Sequence, residues 1–418
     1  MKNRRILGEG VYISNDTHGL NNNDLIIGAS GAGKTRSYVI PNLFATNESK
    51  IVADTKNTLF RKYSKALRDR GFIVETIDFV NPRHSTIGYN PFSHIRTDHK
   101  DLDIRRMAES LCPVQERDSE PIWSQSGQMF LEFAISYVQE MNTDHFRNFA
   151  SVEETVNLIG SDSLKDDILK LRIESPGCLA ERIYPKIIKN MPADRMFASI
   201  LGFVNNSLNM VSDNDISQLY TMQKQISFEE LANKKMVLFL NISDTDRTRE
   251  ALINTFYTQA FQVLIDSADQ KDSSKLTVPV RFLLDDFASN VVIPDFDKII
   301  SVIRSRNISV SILLQSITQL YSLYDEYTAT TIVDNCSVQT YMAGSQSLKT
   351  AEIFATKMNK LAKTLLSLPL DKECIFISGQ EPMIVNKYDL CKHEQELVDN
   401  ATGVVTCKVN DKSGSKGK

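Results

Sequence analysis

Eight consecutive residues near the amino terminus match the phosphate-binding pattern G-x-x-x-x-G-K-[ST]. They are Gly28, Ala29, Ser30, Gly31, Ala32, Gly33, Lys34 and Thr35, and Arg36 follows them. Glycines let backbone N–H groups approach phosphate oxygens, and the N-terminus of a following helix adds partial positive charge. The pattern therefore predicts that these residues bind the phosphates of ATP.

Lys34 and Thr35 carry the chemistry expected of this loop. The Lys34 ammonium would reach the β and γ phosphates, and the Thr35 hydroxyl would bind Mg²⁺. We expect Lys34 to lie on an exposed loop, and the glycines at 28, 31 and 33 to adopt conformations closed to residues with a β-carbon. Residues 24–28 predict a buried strand and residues 36–45 a helix, which is the context that the motif requires.

Two carboxylates lie at the end of an apolar strand predicted over residues 280–287. Asp285 has the position of the Asp that holds the Mg²⁺ shell in P-loop NTPases. We predict that Asp285 is a metal ligand together with Thr35. Asp286 has the position of the acid that orients or deprotonates the attacking water, although it is one methylene shorter than the usual Glu. The alternative is that both carboxylates only cap the next segment.

Two further catalytic candidates lie downstream. Gln315 ends a strand predicted over residues 308–315 and can sense the γ-phosphate, or it only starts the next helix. Arg304 and Arg306 lie near the end of a helix predicted over residues 296–306. One of them could stabilise transition-state charge as an arginine finger, or both could complement the helix C-terminus.

The surrounding pattern predicts an α/β fold with a mostly parallel sheet. Besides those above, strands are predicted over residues 50–54, 72–78, 236–241, 338–343 and 374–378, and helices over 58–70, 249–267 and near 321. Residues 101–233 show helical periodicity and no convincing strand, which predicts an inserted all-α domain. Residues 1–100 and 234–400 would form a discontinuous nucleotide-binding domain, and residues 401–418 a disordered tail.

Bulk composition is that of a soluble globular protein. The net charge of -4 argues against attraction of the whole surface to nucleic acid, but not against a local basic channel. The six cysteines lack metal-ligand spacing, which favours reduced cytosolic thiols. No apolar run approaches the roughly 18 residues that cross a bilayer. We therefore expect a cytoplasmic chain without a transmembrane segment, with any membrane anchor lost or supplied by a partner.

Beyond the loop, the sequence resembles the type IV coupling proteins of bacterial conjugation. The matching stretches are LLDDFA at 283–288, IPDF at 293–296, IRSRNIS at 303–309, LQSITQL at 314–320, VADTK at 52–56, YNPF at 89–92 and NC at 335–336. The resemblance implies a RecA-like P-loop NTPase domain, an all-α domain, a homo-hexameric ring and DNA passage through a central channel. It also implies that Arg304 reaches the neighbouring subunit's ATP and that Gln315 is a sensor. Asp286 and the lack of N-terminal transmembrane helices depart from the family.

The resemblance implies an ATP-driven DNA translocase that delivers a relaxase–DNA complex, or another secreted substrate, to a type IV secretion channel at the cytoplasmic face of the plasma membrane. ATP and Mg²⁺ are the expected cofactors. One alternative is a chromosome-partition or helicase-like DNA pump of the FtsK type. Another is a non-hydrolysing docking adaptor that uses ATP only to assemble, for which Asp286 is the sequence support.

Overall fold

The computed structural model describes residues 3–15, 19–114, 122–143, 146–190, 194–287 and 292–391. The strands are β1 (Arg4–Gly8), β2 (Val11–Ser14), β3 (Asp24–Ile27), β4 (Ser49–Ala53), β5 (Ile73–Asp78), β6 (Met236–Asn241), β7 (Val280–Leu284), β8 (Ile308–Leu314), β9 (Val338–Met342), β10 (Lys372–Ile377) and β11 (Met383–Asn386).

The helices, in chain order, are α1 (Ile40–Ala45), α2 (Thr58–Asp69), α3 (Lys100–Leu111), α4 (Ile122–Met141), α5 (Phe149–Asn157), α6 (Asp162–Glu174), α7 (Leu179–Asn190), α8 (Asp194–Ser212), α9 (Asn214–Thr221), α10 (Phe228–Asn233), α11 (Glu250–Asp269), α12 (Phe296–Val302), α13 (Ile317–Leu323), α14 (Glu326–Asp334), α15 (Leu348–Lys357) and α16 (Ala362–Leu366). The chain divides into two compact units. Unit 1 comprises Met1–Asn47, Leu313–Leu320 and Cys336–Lys418, and unit 2 comprises Glu48–Ile312 and Tyr321–Asn335.

Unit 1 contains the β1–β2 hairpin and four strands in the order β11-β10-β9-β3. β3 runs parallel to β9, whereas β10 is antiparallel to both β9 and β11. Asp24 at the start of β3 is buried, pairs with Arg5 at 3.1 Å and accepts a hydrogen bond from the Tyr38 hydroxyl. This network fixes the strand before the glycine loop to the helical segment after it.

Unit 2 contains strands in the order β8-β7-β4-β6-β5, all parallel. β4, β6 and β7 are buried along their whole length. Strands of parallel sheets are covered by helices on both faces, so they read as continuous apolar runs rather than as alternating ones. The burial explains why simple apolar runs predicted these strands well.

A helical block lies within unit 2 between α3 and α10, and its described residues contain no strand. α4 packs against α3, α5, α7 and α8. Its buried residues Phe130, Phe133, Ala134 and Val138 recur at helical spacing. The prediction of an α/β fold with a mostly parallel sheet and a helical insertion is confirmed. The exact domain bounds stay a prediction.

Several predicted bounds need correction. The strand predicted over residues 280–287 ends at Leu284, because the chain turns at Asp285 and Asp286. The helix predicted over residues 296–306 ends at Val302 and continues as the 3₁₀ turn Ile303–Arg306. The helix after the glycine loop begins as a π-helical turn. The short strands β1, β2 and β11 were not predicted.

No helix in the described ranges is long and apolar enough to cross a membrane. The five cysteines within those ranges, all except Cys407, are free. The predicted disordered tail, residues 401–418, lies outside the described residues.

Candidate nucleotide-binding site

The glycine loop combines two kinds of glycine requirement. Gly31 and Gly33 have positive φ angles of 76° and 91°, so a β-carbon would strain the backbone there. Gly28 does not have a positive φ, which corrects the expectation for it. A β-carbon on Gly28 would instead lie 2.9 Å from Cβ of Met342 and 3.0 Å from Cβ of Ala32. Close packing therefore explains Gly28, and backbone conformation explains Gly31 and Gly33.

Lys34 is buried, with 7% of its surface exposed, so the expectation of an exposed lysine is wrong. Its Nζ donates hydrogen bonds to the carbonyl oxygens of Gly28 at 2.8 Å and Ala29 at 3.4 Å. The side chain thus folds back over its own loop. These carbonyls satisfy an ammonium that would otherwise be buried at high cost.

The loop leads directly into the π-helical turn Thr35–Val39, which continues as α1. The carbonyl of Gly33 accepts the Ser37 N–H at 2.7 Å. Among the residues that the structure describes, no protein acceptor bonds the N–H of Gly31 or of Gly33. Both N–H groups therefore remain available to an anion, as a phosphate cradle requires.

The ends of the loop are held by its neighbours in unit 1. The N–H of Gly28 donates to the carbonyl of Leu314 at 3.0 Å. Gln315 follows Leu314 directly in the chain, and its role as a sensor stays a prediction. Its own N–H donates to Oε1 of Gln319 at 2.8 Å. The Arg36 guanidinium is exposed and donates to Sγ of Cys391 at 3.5 Å.

Unit 2 places both predicted carboxylates immediately after β7. Asp285 is buried, with 8% of its surface exposed. One of its oxygens accepts the N–H of Asp286 at 3.1 Å. Asp286 is half-buried and has a left-handed backbone with φ 49°. The structure therefore supports a tight turn that presents two acids, and the carboxylate of Asp285 helps to form that turn.

The two arginines of the 3₁₀ turn differ in their surroundings. Arg306 binds Asp269 through two hydrogen bonds of 2.7 and 2.8 Å. It also donates to the carbonyl of Val302, the last residue of α12, at 2.9 Å. Arg306 thus has the helix-terminal role that was the alternative to an arginine finger. Arg304 is exposed.

Sequence reasoning missed Lys387. Its Nζ donates to the carbonyl oxygen of Ala32, inside the glycine loop, at 2.7 Å. Lys387 follows β11, a short strand with alternating half-buried and exposed residues that carried no clear sequence signal. The pairing of β11 with β10 and the hydrogen bond from the Lys387 N–H to the Asp371 carbonyl bring this lysine to the loop.

Comparison with known proteins gives a consistent result. Residues 2–360 match the family model described as "Type IV secretory system Conjugative DNA transfer". The chain is 24% identical over 340 residues to Protein VirD4 of Agrobacterium fabrum, a match that covers 80% of this chain and 48% of that protein. Protein VirD4 of Rhizobium rhizogenes matches with the same identity and coverage. The chain therefore spans about half the length of the curated relatives that it matches.

Solved structures show the same fold at low sequence identity. The bacterial conjugative coupling protein TrwBdeltaN70 with sulphate has a TM-score of 0.69 and 17% identity, over 93% of this chain and 90% of that one. Plasmid coupling protein TrwB with the ATP analogue ADPNP has a TM-score of 0.68 and 17% identity, over 93% and 89%. VirB4 of Thermoanaerobacter pseudethanolicus has a TM-score of 0.58 and 14% identity, over 94% and 99%. The RecA-like α/β prediction is confirmed at the level of the fold.

Proposed function

Because the chain belongs to the family of type IV secretory proteins for conjugative DNA transfer, we propose that it is a P-loop ATPase that couples ATP hydrolysis to DNA transport. The observation that carries the proposal is the glycine loop. Its Gly31 and Gly33 N–H groups have no protein acceptor within the described ranges, and Lys34 lies folded against its carbonyls. This arrangement suits a polyphosphate.

The residues of the loop fit ATP as follows. The Lys34 ammonium leaves the Gly28 carbonyl and binds the β and γ phosphates of ATP. Loop residues 28–36 surround the phosphate chain. Bound ATP supplies the γ-phosphoryl group that is transferred to water. Gln315, next to the loop in unit 1, senses the γ-phosphate. TrwB, a protein of the same fold, has been solved with ADPNP and with ADP and Mg²⁺.

The metal proposal rests on the chemistry of two side chains. The Thr35 hydroxyl and the Asp285 carboxylate are hard oxygen donors of the type that Mg²⁺ prefers. Within the described ranges, no group of three or more His, Cys, Asp or Glu residues is arranged to hold a metal ion by itself. This fits Mg²⁺, which usually takes one or two protein oxygens and completes its shell with phosphate and water.

The remaining catalytic roles are proposals from the same motifs. Asp286 orients or deprotonates the attacking water, and its turn with Asp285 holds it directly after β7. Arg304 acts as an arginine finger on the ATP of a neighbouring subunit. The resemblance assigns this role to Arg304, which is exposed, whereas Arg306 binds Asp269.

At the scale of the assembly, we propose a homo-hexamer that moves DNA bound to a relaxase, or another secreted substrate, into a type IV secretion channel. The family supports DNA and secretion components as partners. The chain would work at the cytoplasmic face of the plasma membrane with a membrane-anchoring partner. Residues 1–100 and 234–400 would form the nucleotide-binding domain, and residues 101–233 the all-α domain.

The test is ATP turnover of Lys34→Ala protein. Removing the ammonium should lower turnover by at least about a hundredfold, because it stabilises charge on the transferred phosphoryl group. Since Lys34 is buried, the melting temperature must be measured alongside. Lys363→Ala, which removes an exposed lysine of α16 in the same unit, should retain full turnover. Normal turnover in Lys34→Ala protein would refute the site.

One observation keeps the docking adaptor as a second candidate. Asp286 is shorter than the usual Glu and is held in a left-handed turn, which could place its carboxylate out of reach of water. The adaptor would bind ATP with Mg²⁺ but release no phosphate above the rate of the Lys34→Ala protein. A measurable difference in phosphate release between these two proteins excludes the adaptor.

A further inference from the structure

The segment after β11 reaches the glycine loop from beyond residue 360, where the family match ends. Nζ of Lys387 donates to the carbonyl oxygens of Ala32 at 2.7 Å and Ala343 at 3.5 Å. The backbone N–H of Lys387 donates to the carbonyl of Asp371 at 2.8 Å. Both the main chain and the side chain of Lys387 are therefore held, and its ammonium has a fixed place on the loop.

The carbonyl that Lys387 binds belongs to a functional peptide group. The Ala32 carbonyl shares its peptide plane with the N–H of Gly33. That N–H has no protein acceptor among the described residues and is available to a phosphate. A cation on the carbonyl fixes the plane and polarises the N–H, which makes it a stronger donor. Gly33 has φ 91° and no β-carbon, so no side chain of its own restricts this peptide.

The surroundings of Lys387 strengthen the interaction. Glu373 in β10 is fully buried, and neither of its carboxyl oxygens has a hydrogen-bond partner in the described part of the chain. Gly8 lies so close to Glu373 that a β-carbon on Gly8 would be 2.7 Å from Oε1 of Glu373. Burial raises the pKa of Glu373 to about 8 and lowers the pKa of Lys387, and the charge of each group opposes part of the shift in the other group's pKa. In such a poorly solvated place, a hydrogen bond from an ammonium is stronger than in water.

We propose that Lys387 is a positioning residue for nucleotide binding. By holding the Ala32 carbonyl, it keeps the Gly33 N–H directed at the β-phosphate of a bound nucleotide. Its role differs from that of Lys34, which contacts the phosphates directly. The inference rests on the proposed function, since it assumes that the loop binds ATP and ADP.

The experiment measures the dissociation constants of ADP and ATP with Mg²⁺ for the full chain. Lys387→Met should weaken both nucleotides by the same factor, about tenfold, because a charge-assisted hydrogen bond to the loop is lost. Lys387→Arg retains the cation and should bind within about threefold of wild type. The matched control is Lys372→Met, which removes a lysine of neighbouring β10 whose Nζ donates to Asn386 at 2.5 Å. It should leave both constants unchanged.

Melting temperatures without nucleotide separate positioning from folding. We expect Lys387→Met and Lys372→Met to melt within the same range while differing in ADP affinity. Equal ADP affinity in the two variants overturns the proposal. So does a loss of affinity that tracks a lower melting temperature and that Lys387→Arg does not restore. Failure of the wild-type chain to bind ADP would instead refute the proposed function itself.

Discussion

Asp286 combines an acidic side chain with a left-handed backbone, φ 49°. Asp and Asn enter this region more easily than Glu, because their short polar side chains hydrogen-bond to the local backbone. The Asp285 carboxylate accepts the Asp286 N–H at 3.1 Å and holds the turn. The turn therefore gives a physical reason for Asp at a position where the coupling-protein resemblance leads us to expect Glu.

Substitutions at Asp286 can separate its charge from its backbone role. Asp286→Asn keeps the size and the left-handed preference, so we expect an unchanged melting temperature and a loss of turnover of about a hundredfold. Asp286→Glu keeps the charge, and we expect equal or faster turnover with a slightly lower melting temperature. Phosphate release and thermal unfolding measure the two effects. Full activity in Asp286→Asn would remove Asp286 from catalysis, and a large loss in Asp286→Glu would show a turn built for the shorter acid.

At the scale of elements, an ion pair connects the turn that follows α12 with the end of α11. Arg306 in the 3₁₀ turn that follows α12 forms a two-bond ion pair with Asp269, the last residue of α11. The same guanidinium closes the α12 C-terminus through the Val302 carbonyl. The pair is only partly buried, so its contribution is limited by solvent screening.

A double-mutant cycle on Arg306 and Asp269 measures the coupling free energy of this ion pair. Arg306→Ala should lower the free energy of unfolding by about 1 kcal/mol, because the pair is two-bonded but partly exposed. Asp269→Ala should cost less, since the bond from Arg306 to Val302 survives. The coupling between the two changes should be about 0.5 to 1 kcal/mol in chemical denaturation. Additive effects would show that the two side chains do not stabilise each other in solution.

Elements were predictable where the signal is local. The glycine loop is a contiguous motif, and the strands of unit 2 are short apolar runs that need no knowledge of their partners. The helical spacing within α4 also lies in consecutive residues. For the same reason the sequence alone places Asp285 and Gln315 at strand ends, within one to three residues.

Features that depend on distant partners were not predictable. The folded-back position of Lys34 depends on carbonyls of its own loop, so the lysine is buried although loop sequences usually imply exposure. Lys387 reaches the loop through the pairing of β11 with β10, which joins residues distant in sequence to the loop. The left-handed turn at Asp286 has no clear sequence signal, because Asp is common in many other conformations. In each case tertiary contacts override the local preference of the sequence.

At the scale of the whole molecule, the predicted catalytic residues are divided between the two units. Lys34 and Gln315 belong to unit 1, and Asp285, Asp286 and Arg304 belong to unit 2. If the proposed roles hold, turnover also needs Arg304 of a second subunit. Mixing of variants can test that last requirement directly.

Arg304→Ala should lower turnover by at least about a hundredfold, as expected for an arginine finger, without weakening ATP binding to the isolated subunit. Mixing Arg304→Ala with Lys34→Ala protein should restore part of the activity. Each ring then contains some interfaces with an intact loop on one side and an intact arginine on the other. Phosphate release across a range of mixing ratios measures the effect. Absence of rescue, with weaker ATP binding by Arg304→Ala monomers, would place Arg304 within its own subunit or in a structural role.

DNA dependence tests the translocase itself. A chain with a formal net charge of -4 should bind DNA weakly as a monomer, because a surface that repels on average neutralises few phosphates. A ring brings several copies of the same lysines and arginines to one strand, so binding strengthens through multivalency. We therefore expect DNA to stimulate both assembly and ATP turnover, more strongly at concentrations where rings form. Binding should fall steeply as salt rises.

Lys34→Ala protein should still bind DNA but show no stimulated turnover. An ATPase rate indifferent to single-stranded and double-stranded DNA, at low salt and with rings present, would rule out translocation.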